Sequence, residues 1–383
     1  MDLREKQFKT AFLSIAGVGR ATLGRVQKVL AKYQISEDDF WSKPDQILLV
    51  EARVTPKQQQ GFADFRQQYQ PQDYWQFLQQ HHIKVVFDSD DNYPDLLKQT
   101  HDRPLLLFVK GKLPAAINLP IAVVGTRHFT SYGQMVTEKI VKELASFKTT
   151  IISGLMYGID SLAHQVALDA GASTIGVLGY GFDHCYPVSH QPFLTEFLKR
   201  GGICISELAP HIEADPYNFP ARNRIVAGMS WAVLVTEAGL KSGSHITAGK
   251  AGDYGRDLFA VPGPINNPYC EGTKKLINDG AILVSSGEDI INSLTIKSQA
   301  PVIEEKLKQT VKEDQKSKNQ AKFTLKLNNI LEQKIYDLLL TEGKTADDLA
   351  LYLDVPIADI TAALSILEIQ GIINQLGDVW LVK

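Results

Sequence analysis

The chain has 383 residues, 44% of them hydrophobic and 22% charged, with a formal net charge of −3. That length exceeds one ordinary core, and the composition is that of a soluble globular protein, so two or three domains are expected. No apolar run approaches the ~18 residues of a membrane span, MDLREKQFKT lacks the apolar core of a secretory leader, and the charge gives no global sign of nucleic-acid binding, which would have to rest on a local basic surface.

Residues 1–80 lack strand signals and are rich in Gln, Leu and Ala, which predicts a small helical domain. Its landmark is FLSIAGVGRATLGRVQKVL (12–30), where apolar residues precede a G-V-G turn and a helical repeat of Ala21, Val26 and Leu30 follows. Two helices joined in this way resemble a helix-hairpin-helix or SAM-like unit, whose turn amides can contact a phosphate. A bundle corner where only glycine fits explains the same residues.

From residue 83 the texture changes. IKVVF (83–87) and PLLLFVKG (104–111) are short apolar runs bounded by turn residues, and so predict strands. A regular alternation follows. IAVVG (121–125), TTIISG (149–154), STIGVLG (173–179), GICISE (202–207), WAVLVTEA (231–238), DLFAVPG (257–263) and AILV (281–284) have the character of buried strands, separated by helical patterns. Strands alternating with helices predict an α/β domain over 83–297, with a Rossmann-like, doubly wound, mostly parallel sheet from about 110. Residues 298–324 are charged and poor in large apolar groups, which predicts a flexible linker. Three helical segments and a β-hairpin tipped by Gly377-Asp378 then predict a winged helix over 325–383.

In an open parallel sheet the ligand sits beyond the carboxyl ends of the strands. The residues that follow the strands are Gly125-Thr126-Arg127, Ser153-Gly154, Glu207 with FPARNR (219–224) after an interval, and Glu237 with AGLKSGSHITA (238–248). Gly125 lets backbone amides approach an anion, and Arg127 offers a fixed fork of donors. Lys241, Ser242, Gly243, Ser244 and Thr247 form a glycine turn opening a helix, a natural anion nest. Arg222 and Arg224 add two guanidiniums, unless they pair with Glu207 or Glu237. Phe219 beside them is either a core ring or a platform on which a base stacks.

Catalysis has thin support. Asp160 and His164 share a helical face, but Asp160 is also placed to cap that helix, and no nucleophile, metal cluster or G-x-G-x-x-G motif accompanies them. Cys185, Cys204 and Cys270 are odd in number and far apart, which predicts reduced thiols and a cytoplasmic protein with neither metal nor cofactor.

VVGTR (123–127), ISGLMYGIDSLAH (152–164), GVLGYGFDHCYP (176–187), SELAP (206–210), FPARNRIVAG (219–228), SGSHITAGKAGDYGRDLFAVPG (242–263) and GTKKLINDGA (272–281) together resemble the DNA-processing protein A family (DprA, or Smf). The resemblance spans about 92 to 290 and implies a non-catalytic, dimeric protein, paired through its Rossmann-like domain. Such a protein binds and protects single-stranded DNA during natural transformation and helps to load the RecA recombinase. It places the family's glycine–small–arginine motif on Gly125-Thr126-Arg127 and its stacking aromatic on Phe219. One departure stands out. Lysines that some members carry after the Y-P pair and before that phenylalanine are replaced here by Val188 and Pro216, leaving Lys241, Lys250 or the Arg pair to supply charge.

Between 326 and 383 there are four Lys or Arg against nine Asp or Glu, and PIADITAALSILEIQ, in the recognition-helix position, has no basic residue. This predicts a protein-contact or regulatory module rather than a groove-reading one. The alternatives are a Rossmann-like nucleotide-binding protein or nucleoside-monophosphate hydrolase using SGSHITA with Glu237 and, less favoured, a transcription regulator acting through the winged helix.

Overall fold

The computed structural model describes residues 1–297, 330–339, 344–369, 372–376 and 379–382. The expected linker 298–324 and the hairpin tip Gly377-Asp378 lie outside them. The chain divides into two compact units, Met1–Thr310 and Val311–Lys383.

The first unit opens with α1 (Leu3–Leu13), α2 (Arg20–Tyr33), α3 (Glu37–Ser42), α4 (Gln46–Glu51), α5 (Pro56–Gln68) and α6 (Pro71–Gln80). Short polar residues start several of them. Asp2, Ser36 and Asp45 cap α1, α3 and α4, and Thr55 with Gln58 forms a reciprocal capping box on α5. Gly17, at φ +77°, makes the turn between α1 and α2, and Gln58 Nε2 donates to its carbonyl at 2.5 Å. Phe8, Phe12, Phe40, Trp41 and Phe62 interlock beneath, in one apolar cluster that continues into the sheet through Phe87, Leu106 and Phe108.

The sheet has nine strands: β1 (Lys84–Phe87), β2 (Leu106–Lys110), β3 (Pro120–Val124), β4 (Thr150–Ser153), β5 (Thr174–Leu178), β6 (Ile203–Ser206), β7 (Ala232–Val235), β8 (Asp257–Ala260) and β9 (Ile282–Leu283). Their order is β1-β2-β6-β5-β4-β3-β7-β8-β9. Strands β3 to β9 are mutually parallel, and β1 and β2 extend the β6 edge as antiparallel neighbours.

Alternate residues of these strands enter opposite cores, because successive side chains of a strand point to opposite faces. Ala122, Val124, Ile152, Val233 and Val235 pack on one face, and Ile121, Val123, Ile151, Ala232 and Leu234 on the other. Burial on both faces is why the strands are continuous apolar runs. Between the strands lie α7 (Asp95–Lys98), α8 (Ser131–Ser146), α9 (Ile159–Asp169), α10 (Gln191–Lys199), α11 (Asn218–Gly228), α12 (Ser244–Asp253) and α13 (Glu271–Asn278), with α14 (Gly287–Lys297) last. From β3 the chain winds outward through β4, β5 and β6, then crosses back to lay β7 on the other side of β3. The switch point therefore falls between the carboxyl ends of β3 and β7.

In the second unit α15 (Ile330–Leu339), α16 (Ala346–Leu353) and α17 (Ile357–Ile369) enclose Ile335, Leu349, Ile360, Leu364 and Leu367. Three short antiparallel strands, β10 (Lys344–Thr345), β11 (Ile373–Leu376) and β12 (Val379–Val382), close this core with Ile373 and Trp380, in the order β10-β12-β11. Among the described residues, no single helix is long and apolar enough to cross a membrane, and no group of three metal-ligating side chains occurs.

Candidate nucleic-acid interface

At the switch point lies a cavity of about 640 Å³. One lip is the turn after β3. Gly125 sits so close to its neighbours that a Cβ there would come 2.6 Å from Ile159 Cγ1 and 2.7 Å from the Glu237 carbonyl. Thr126 N–H donates to that carbonyl at 2.8 Å, and the Thr126 carbonyl accepts from Ile159 N–H at 3.1 Å. Gly158, at φ +88°, completes this junction, where any side chain would strain the backbone and collide with Thr126 O and Arg127 Cα. The turn is thus pinned on both sides. Arg127 lines the cavity, exposed, with no hydrogen bond or ion pair among the described residues.

Glu237 follows β7 but does not face the cavity. It is fully buried. Thr130 donates to it from N–H at 2.8 Å and from Oγ1 at 2.6 Å, and Asn267 Nδ2 donates at 3.2 Å. Its carboxylate thus holds the start of α8.

The second lip is the loop before α12. Lys241, Ser242, Gly243, Ser244 and Thr247 all line the cavity. Ser244 Oγ donates to Ser242 Oγ at 2.8 Å, and Asn223 Nδ2 reaches the Gly243 carbonyl at 3.5 Å, joining α11 to this loop. Lys241 is exposed and, like Arg127, lacks a partner among the described residues.

Gly154 and Arg222 form the floor. Arg222 is 5% exposed and donates Nη1 to the carbonyls of Gly154 and Val177, and Nε to Asn223 Oδ1 at 3.1 Å. Asp160, half-buried beside it, accepts from Gly154 N–H at 3.1 Å. Burial pushes the Asp160 carboxyl above its ordinary range while the Arg222 charge pulls it back; burial likewise lowers the guanidinium, and Asp160 opposes that. Arg222 therefore ties the ends of β4 and β5 together, and the expectation that it offers a free guanidinium is corrected.

Two further expected residues stand outside the cavity. Arg224 Nη2 contacts both oxygens of Glu207, at 2.7 and 2.6 Å, which is the carboxylate pairing left open by the sequence. Ser153 is fully buried and donates to the Val123 carbonyl at 2.7 Å, joining β4 to β3. Lys250, another candidate for charge, pairs with Asp253 at 3.0 Å. His164 is buried and hydrogen-bonded to Thr174 Oγ1 at 2.6 Å, and burial holds its imidazole at about 3. It is a neutral core residue, removed from any acid–base role.

Phe219 is half-buried at the cavity wall, packed over Gly179, with the exposed ring of Tyr186 5.4 Å away at 43°. Tyr157 and Tyr269 also line the cavity and are 40% and 41% exposed. These three tyrosines and Asn223 escape a reading confined to the first residues after each strand. The signal available was the Tyr186-Pro187 pair inside GVLGYGFDHCYP. Pro216 lines the cavity, and Val188, close in sequence to Tyr186, is 80% exposed.

A doubly wound sheet with a glycine turn, a glycine–serine turn and two cations unpaired among the described residues around its switch point is an α/β fold whose crevice suits an anion and lacks the dinucleotide fingerprint. Comparison with known proteins narrows this class. Residues 84–295 match the family model for DNA recombination-mediator protein A, and the chain belongs to that family. It is 41% identical over 251 residues to Protein Smf of Escherichia coli (strain K12), covering 65% of this chain and 67% of that protein. It is 39% identical over 213 residues to DNA processing protein DprA of Bacillus subtilis (strain 168), covering 55% and 71%. The X-ray structure of DNA processing protein A from Streptococcus pneumoniae superposes with a TM-score of 0.61 at 31% identity, over 75% of this chain and 97% of that one. The resemblance carried by the sequence motifs is thereby established, and so is the Rossmann-like core.

Proposed function

We propose that this recombination mediator binds single-stranded DNA in the switch-point crevice, independent of base sequence. It protects the strand and helps to load RecA on it, in the cytoplasm, during natural transformation. Two Rossmann-like domains pair so that two crevices follow one strand. The observation that carries this reading is the placement of Arg127 and Lys241, both exposed and unpartnered among the described residues, in one cavity with the half-buried ring of Phe219. Cations hold phosphates while an aromatic face accepts any base. The N-terminal helices serve as an accessory domain over 1–80, and the acidic residues of 325–383 suit a winged helix that contacts protein rather than DNA. Nucleotide hydrolysis finds no support in the site, because the Glu237 carboxylate already accepts from Thr130 and Asn267.

Titration of the full chain with single-stranded and duplex oligonucleotides, with stoichiometry, tests this. Expected are preference for the single strand, two protomers per strand, and at least ~10-fold weaker binding by Arg127→Glu. Equal affinity for duplex, or undiminished binding by the variant, overturns it.

A further inference from the structure

The lips of the crevice are more aromatic and apolar than cationic. Of the described residues lining it, only Arg127 and Lys241 are exposed cations, since Arg222 is spent on the carbonyls of Gly154 and Val177. Against these two stand four aromatic rings, Tyr157, Tyr186, Phe219 and Tyr269. Two exposed apolar side chains stand next to these rings in sequence. Tyr217, between Pro216 and Phe219, is 86% exposed, and Val188, two residues beyond Tyr186, is 80% exposed. Four rings around one cavity form an apolar wall suited to a ligand's apolar faces.

The rings also differ in freedom. Tyr157 OH is held by Ser189 Oγ at 2.5 Å, and its ring packs edge-on to His190. Tyr186 is 47% exposed, and its ring lies 5.4 Å from Phe219 at 43°. The two rings are in contact at the cavity wall, one half-buried and one open.

We propose that Tyr186 and Phe219 form a two-ring platform holding successive bases, so that this crevice grips the strand mainly by stacking and only secondarily by charge. The inference rests on the single-strand reading above. It specifies the part of the ligand recognised, the nucleobase faces, and names Tyr186 as a contact residue. Two consequences follow. Binding should depend weakly on salt, because two phosphate contacts per protomer, and so four for two protomers on one strand, give a slope of log K against log [salt] of about −2.8. It should also require the bases themselves, since every base offers a π-face.

The experiment compares a dT oligonucleotide of about 12 nucleotides with an abasic oligonucleotide of the same length, across a salt series. Wild-type chain, Tyr186→Ala and Tyr186→Phe are each titrated, and circular dichroism confirms that each is folded. Expected are a shallow slope, loss of most affinity on the abasic strand, and a 5- to 150-fold loss for Tyr186→Ala on dT, about the range of one stacked base. Tyr186→Phe retains the ring and should bind as wild type does. On the abasic strand Tyr186→Ala should bind as poorly as wild type and no worse. A chain that binds dT with a slope steeper than about −5, or equally well with and without bases, overturns the platform and leaves single-strand binding standing. A wild-type chain that ignores single strands refutes both. If Tyr186→Phe loses as much as Tyr186→Ala, the ring is not the contact and the assignment of Tyr186 falls.

Discussion

The floor and the lips of one crevice both carry cationic side chains and put them to different work. In the floor, Arg222 is buried and Asp160 half-buried, and strand-end carbonyls and an amide are bonded to them. On the lips, Arg127 and Lys241 are exposed and unpartnered among the described residues. The difference follows from the end of a parallel sheet. Carbonyls and amides leaving the strands must be satisfied or they cost about 1–3 kcal/mol each, and the nearest buried side chains are taken up in doing so. A ligand meets only the charges the framework has not used.

The sharpest way to break this comparison is to remove the floor's arginine. Arg222→Ala leaves the carbonyls of Gly154 and Val177 unpaired and strips Asp160 of its countercharge. The expected loss is about 3–5 kcal/mol in denaturant unfolding. With Arg222 gone, the Asp160 carboxyl titrates still higher. A raised folded value means that the proton favours the folded state, so part of the loss should return as pH falls toward the carboxylate range. A variant as stable as wild type would mean that the floor is not structural.

A smaller effect tests His164. Its folded value of about 3 lies below the ordinary 6.5, so the unfolded chain takes up the proton first. The stability that its neutral burial represents is intact above pH ~6.5 and lost as pH falls below it, at about 1.4 kcal/mol per unit, until the folded group also titrates. His190 and His211 are held low by burial too and add the same sign. The measurement is therefore a difference: His164→Leu should unfold with a flatter pH dependence between 6.5 and 5 than wild type. An unchanged slope would mean that His164 is not held neutral by burial.

The framework was legible in the sequence because buried parallel strands leave a simple trace. All nine strands appear as apolar runs closed by turn residues, and the helices between them show their own period. The site was legible as a location and less so as a set of working groups. Gly125, Thr126, Arg127 and the Lys241–Thr247 group gather where strand-end reasoning places them, because the switch point is fixed by topology. Whether a given arginine is free depends on contacts that no local pattern encodes. Arg224 is neutralised by Glu207, 17 residues earlier in the chain, and Arg222 is hydrogen-bonded by carbonyls 45 and 68 residues away. Tyr186 is similar, for its exposed ring gains meaning only when the loop after β5 folds against Phe219.

The smallest expected effect on stability falls on the lips and decides the comparison from the other side. Arg127 is exposed and makes no bond among the described residues; its charge acts on the buried Arg222, whose protonated form it disfavours. Reversing that charge removes a repulsion and breaks no contact. Arg127→Glu should therefore unfold within about 0.5 kcal/mol of wild type, with any shift toward greater stability, while its affinity for single strands falls. The two readouts must separate. If Arg127→Glu loses stability on the scale of Arg222→Ala, the lip belongs to the framework after all. If it keeps its stability and loses its binding, the cation left unpaired by the fold is the one the ligand uses.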